Sequence, residues 1–280
     1  MMSNIKQFAF FIVLSLLIFG CSTNDQIDMK EFYTLYGSGI DNSGELIEIA
    51  SRHKLYFGHQ SVGSNILDGI EQWELESGIN MDITESRDFS NTNSASLVHF
   101  RVGENGNPHS KIDDFVSLID SIPDDTASAA FFKLCYVDIK EDTKVDDVFE
   151  YYMDRMYFLK DRYPHCQIIL FTVPVTTVQT GLKATAKKIL GRQPTGVIEN
   201  IRRNEFNERL LNEMDVDFPI FDLATVETTL PDGSIHTYHY KGNDYPSMPD
   251  MYTNDGGHLN EYGARVVSFN LLAFLAESLK

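Results

Sequence analysis

Four short and nearly uninterrupted apolar runs decide most of what this chain can become: Leu55–Phe57, Ala129–Ile139, Gln167–Val175 and Phe218–Leu223. A strand without apolar/polar alternation has no face to offer water, so it must be covered on both sides. Between the runs, apolar residues recur at helical period: Ile66, Leu67, Ile70 and Trp73; Ile112, Phe115, Leu118, Ile119 and Ile122; Val148, Phe149, Tyr152, Met156 and Leu159. Further helices are predicted over Ser43–Lys54, Ile198–Asn212 and Asn260–Leu279, and a short strand over Met81–Thr84. Strands alternating with helices predict an α/β fold, a three-layer α/β/α sandwich on a central, mostly parallel sheet. Residues 85–110 are rich in Ser, Asn and Gly, Thr176–Val197 is a polar, basic insertion, and 225–254 reads as a long loop. With no internal repeat or linker, 42–280 reads as one domain.

The N-terminus reads differently. Lys6 precedes the apolar stretch FAFFIVLSLLIFG and Cys21. That stretch has the length of a signal peptide and is short for a membrane span. Ile18-Phe19-Gly20-Cys21 resembles a bacterial lipobox, which implies cleavage before Cys21 and lipidation of its thiol. Residues 1–20 are therefore expected to be a signal peptide and 21–41 a tether, with the protein lipid-anchored in the cell envelope, on the outer membrane or its periplasmic face. The chain carries 23 Lys+Arg against 41 Asp+Glu, the wrong sign for a nucleic-acid partner. Cys135 and Cys166 fall at opposite ends of two neighbouring parallel strands, on the order of 15 Å apart, and are expected to be free thiols.

In Leu55–Ile70 the first apolar run ends at Gly58, a turn follows, and a helix begins. Ser61 lies in that turn, where unpaired backbone N–H groups point outward. A serine there caps a helix or serves as a nucleophile. Near the other end, Asp255 and His258 are separated by two glycines in NDGGHLNEYGA. In so short a turn the carboxylate reaches one imidazole nitrogen and leaves the other free to meet Ser61, giving nucleophile, base and orienting acid in the order Ser, Asp, His. Ser61, the 103–110 loop, Asp138 and the Asp255/His258 turn all follow strand exits, where sites gather in parallel sheets.

These residues resemble the SGNH (GDSL-like) hydrolase superfamily, and GHQSVG resembles a divergent subgroup of it. Four ordered blocks carry the likeness: GHQSVG around Ser61, the glycine-rich VGENGNP loop, CYVD at Cys135–Asp138, and DGGHLNEYG. The resemblance implies a flavodoxin-like sandwich, a Ser61–His258–Asp255 catalytic set and no cofactor or metal. Two features depart from the pattern. His59 and Gln60 replace the usual Gly-Asp, and Val137 stands where the family places an oxyanion asparagine. The oxyanion hole is then expected from the Ser61 and Gly106 N–H groups, with Asn105 or Asn107 as a third donor.

The reading is a serine esterase acting on O-acyl groups of a small-molecule or glycan substrate. The alternatives are an O-acyltransferase with the same residues and a non-catalytic carbohydrate-binding lipoprotein. His59 is expected to bond within its turn, with a role as base the alternative. Asp138 positions site groups or caps a helix. His236, Tyr238 and His239 are read as candidate substrate contacts in the long loop, the two histidines forming no familiar metal spacing. Lys183, Lys187, Lys188 and Arg192 read as a solvated helix face, with a basic lid as the alternative.

Overall fold

The computed structural model describes residues 42–279, except 93, 123–126 and 214–217. The readings on residues 1–41, Cys21 included, lie outside the described residues. In chain order the elements are α1 (Ser43–Ser51), β1 (Leu55–His59), α2 (Ser61–Ser77), β2 (Ile83–Glu85), β3 (Leu97–Arg101), α3 (Pro108–Ile119), β4 (Ala129–Phe132), α4 (Val145–Arg162), β5 (Gln167–Phe171), α5 (Gly181–Ile189), α6 (Val197–Glu213), β6 (Ile220–Phe221), α7 (Leu223–Thr228), β7 (Thr237–Tyr240), β8 (Asn243–Pro246) and α8 (Glu261–Ser278).

Six strands form one parallel sheet in the order β2-β3-β1-β4-β5-β6. Helices cover both faces, so the chain is a three-layer α/β/α sandwich. Successive side chains of β1 divide between the two cores. Tyr56 joins Ile112 and Phe115 of α3, Phe149 and Tyr152 of α4, and Phe206 of α6. Leu55 and Phe57 join Ile47 of α1, Ile66, Ile70 and Trp73 of α2, Leu223 of α7, and Val266, Leu271 and Leu272 of α8. Burial on both sides explains why these strands are apolar throughout.

Helices α2 and α8 pack tightly. A Cβ on Gly69 would lie 2.3 Å from the Ala264 carbonyl oxygen, so only glycine allows this approach. The Trp73 indole N–H donates to the Arg265 carbonyl at 3.1 Å, and Arg265 pairs with Glu76 at 2.7 Å. Helix α2, which begins at Ser61, and the helix behind the histidine turn are thereby fixed to one another.

Several expected boundaries are corrected. β4 stops at Phe132, well before Ile139, because the Cys135 N–H turns back to the Asp138 carboxylate and the Asp138 N–H to the Cys135 carbonyl. β5 stops at Phe171. Beyond it, the Asn207 side chain takes both the N–H and the carbonyl of Val173, and Glu227 accepts from the Val175 N–H, so buried backbone is paired without a strand. β6 is shorter than the Phe218–Leu223 run. β3 lies within the stretch read only as Ser/Asn/Gly-rich. The 225–254 loop takes in the end of α7 and the β7–β8 hairpin, and α5 forms inside the basic insertion. Cys135 and Cys166 are both buried and unpaired to each other.

Candidate active site

β1 delivers the chain to His59, and Gln60 takes an extended conformation as the residue before α2. The Gln60 amide donates to the Val102 and Gly103 carbonyls at 2.7 and 3.0 Å, tying this turn to the loop after β3. Ser61 is the first residue of α2. Gln60 provides no side-chain cap, so the first-turn N–H groups of α2 are left facing the sheet's carboxyl edge. Gly63 is forced by the same turn, because a Cβ there would sit 2.2 Å from His59 Cβ.

The Asp255–His258 turn closes over this point. The Ser61 Oγ lies 2.9 Å from His258 Nε2, and His258 Nδ1 lies 2.6 Å from Asp255 Oδ2. A carboxylate on Nδ1 holds the ring proton there and leaves Nε2 to accept the serine hydroxyl proton. Asp255 Oδ1 accepts from the N–H groups of Gly257 and His258 at 2.9 and 2.8 Å. Partial burial pushes the Asp255 pKa upward, but the His258 and Gly257 N–H bonds and the imidazole outweigh it and hold the carboxyl well below its usual range. Asn260 caps α8 through the Gly263 N–H and ties the turn to Met251.

The expected oxyanion donors divide. The Gly106 N–H is spent on Asp138 Oδ1 at 2.8 Å, which corrects its assignment to the oxyanion hole. Asn107 caps α3 by accepting from the Ser110 N–H, which engages its side-chain oxygen. Asn105 gives its side-chain oxygen to Lys111 at 2.8 Å, and its Nδ2 carries no bond among the described residues. The Ser61 N–H and the side-chain amide donors of Asn105 and Asn107 remain. Asp138 is a positioning group: it accepts from Gly106 and Cys135 and pairs with Lys111 at 2.7 Å, both side chains fully buried.

His59 is engaged away from Ser61, so the structure makes it a turn residue and not a base. Its Nδ1 bonds the Gln60 carbonyl at 2.8 Å and its Nε2 meets His99 Nδ1 at 3.0 Å. Burial, reinforced by nearby His99 and Lys133, lowers its pKa to about 3 against the pull of the Gln60 bond. His236 bonds the Ser247 carbonyl, Tyr238 donates to the Val197 carbonyl, and His239 pairs with Asp244 in its own hairpin. The structure gives none of these three a contact with Ser61, Asp255 or His258. Among the described residues, no group of three or more His, Cys, Asp or Glu side chains is placed to hold a metal ion.

One neighbour was not foreseen. The Tyr136 ring stands edge-on to the His258 ring, centroids 5.8 Å apart, and its carbonyl is held by buried Arg203 at 3.0 Å. Burial, with Asp255 and Cys135 adding to it, raises the Tyr136 pKa, so its hydroxyl stays a neutral donor beside the histidine. Its position next to Val137, which stands where an oxyanion asparagine was expected, was the signal available in the sequence.

No protein-family model matches the chain, and no curated protein matches it. Several solved structures resemble it, among them the following three. A protein from Streptococcus pneumonia provisionally assigned as a platelet activating factor shares 13% identity, covering 89% of this chain and 99% of its own, at a TM-score of 0.47. A provisionally assigned lipolytic protein of the G-D-S-L family from Desulfitobacterium hafniense shares 11%, covering 79% and 99%, at 0.41. The periplasmic domain of a lipopolysaccharide acetyltransferase from Salmonella Paratyphi A shares 12%, covering 87% and 95%, at 0.42. At these values the likenesses carry no information on chemistry.

Proposed function

We propose that the protein is a divergent SGNH-type serine esterase that cleaves O-acyl esters, with esters borne on carbohydrate as the substrates to test first. The observation that carries this reading is the unbroken chain from Ser61 Oγ through His258 to Asp255, 2.9 and 2.6 Å long at its two links. In this mechanism Ser61 Oγ attacks the ester carbonyl as its proton passes to His258 Nε2. Asp255 holds the ring orientation and stabilises the imidazolium. The developing oxyanion meets the Ser61 N–H, with the Asn105 amide as second donor. The imidazolium returns the proton to the departing alcohol, leaving an acyl-serine. Water, deprotonated by the same nitrogen, then releases the acid and restores Ser61. Lipidation of Cys21 and an envelope location belong to the same proposal.

The test is labelling with a fluorophosphonate probe, followed by peptide mapping. Labelling at Ser61 that disappears in His258→Ala is expected. A folded protein that takes no label would overturn the reading.

A further inference from the structure

Helix α5 is built as a surface that faces outward without cover. It touches the rest of the molecule through Ala184, its one buried residue, and through Lys187, which donates to Thr195. On the opposite face Leu182 and Ile189, seven residues apart and therefore aligned, are 89% and 80% exposed, and Leu190 follows at 73%. The adjacent exposed pair Tyr157 and Phe158 on α4 is only about half as exposed, at 40% and 44%. The charge is as unusual as the exposure. The chain has a formal net charge of −18, yet residues 181–192 hold Lys183, Lys187, Lys188 and Arg192 and no acid. Lys183, Lys188 and Arg192 are exposed, as a solvated face requires, and Lys183 and Lys188 flank an apolar ridge, while Lys187 is half-buried and donates to Thr195.

We infer that α5 and Leu190 form a docking surface for anionic phospholipid headgroups, with the ridge entering the acyl boundary and the lysines meeting the phosphates. Short amphipathic helices with cationic flanks bind membrane interfaces in this way. A second copy meeting this one ridge to ridge would set lysine against lysine, whereas an anionic lipid surface answers both the ridge and its charge. Among the described residues no helix is long and apolar enough to cross a membrane, so the contact is peripheral. The 20 residues from 22 to 41 would keep a bilayer anchored at Cys21 within reach. The insertion is also fastened to the proposed site. The Gln179 N–H bonds the Thr195 carbonyl at its base, and the Thr177 N–H bonds the Gly256 carbonyl in the histidine turn, both at 2.9 Å. Docking through α5 would therefore bring the Ser61 region to the membrane plane.

The experiment uses residues 22–280, which contain the whole sheet and both cores. Sedimentation is measured with phosphatidylcholine vesicles and with vesicles containing phosphatidylglycerol. Binding only to the anionic vesicles, weakened by salt, is expected. Lys183→Gln with Lys188→Gln should weaken it roughly 25-fold, about fivefold per charge. Leu182→Ser, Ile189→Ser and Leu190→Ser together should reduce it to background. All these positions are exposed, and unchanged thermal unfolding checks the fold. Leu182→Trp should show a blue-shifted emission on the anionic vesicles. Absence of binding, or equal binding by wild type and both variants, overturns the inference. Self-association abolished by the triple serine variant would give the ridge to a second copy and overturn it equally. The readout needs no turnover, so its failure is distinct from failure of the esterase reading.

Discussion

Asp255 reaches Ser61 only through the imidazole, so a change of one atom tests the part proposed for it. In Asp255→Asn an amide N–H would face Nδ1, favouring the tautomer that carries its proton on Nε2. The serine hydroxyl would lose its acceptor, and kcat on an ester substrate should fall by about 10⁴-fold with little change in KM. Gly63→Ala places a methyl group 2.2 Å from His59 Cβ. It should lower stability by about 1–3 kcal/mol in urea unfolding, because a helix start and a sheet residue must separate. Lys111→Met removes the cation from a fully buried pair and leaves the Asp138 carboxylate held by two N–H groups alone. A loss of about 3 kcal/mol is expected, measured the same way.

At the scale of elements, the Gly106 loop depends on that buried pair. The same Lys111→Met change should increase amide exchange at Gly106 and Cys135 before it affects β1, as hydrogen exchange would show. Legibility also divides by element. The central strands could be read because burial on both faces leaves their sequences nearly all apolar. β3 escaped because LVHFR includes a histidine and an arginine, although His99 finds a buried partner in His59. The β7–β8 hairpin escaped because its turn is Lys241-Gly242, with Lys241 at φ +49, where Asn or Asp is the usual signal. The Ser61 and Asp255/His258 turns were legible because the needed spacing is local. The use of the Gly106 N–H was not, because Asp138 claims it from 32 residues away.

For the whole molecule, two buried groups oppose one another. Burial holds His59 near 3, so between about pH 3 and 6.5 the unfolded chain binds the extra proton and stability rises with pH. Burial raises Glu227 from 4.5 to about 8, despite the opposing Lys133 charge and the Val175 N–H. Between those values the folded chain holds the extra proton, so stability falls as pH rises. The two slopes, each at most about 1.4 kcal/mol per pH unit, cancel between about 4.5 and 6.5. A plateau there, with losses on both sides, is expected in denaturation midpoints measured from pH 3 to 9, and Glu227→Gln should flatten the alkaline side. The packing of α2 on α8 has a temporal consequence as well. Ser61 and His258 are 197 residues apart, and α8 supplies the closing layer over α2. A chain emerging from synthesis or export would carry its serine for most of its length without a base. Acquisition of Ser61 reactivity would then mark completion of the fold, making one covalent label a clock for its last step.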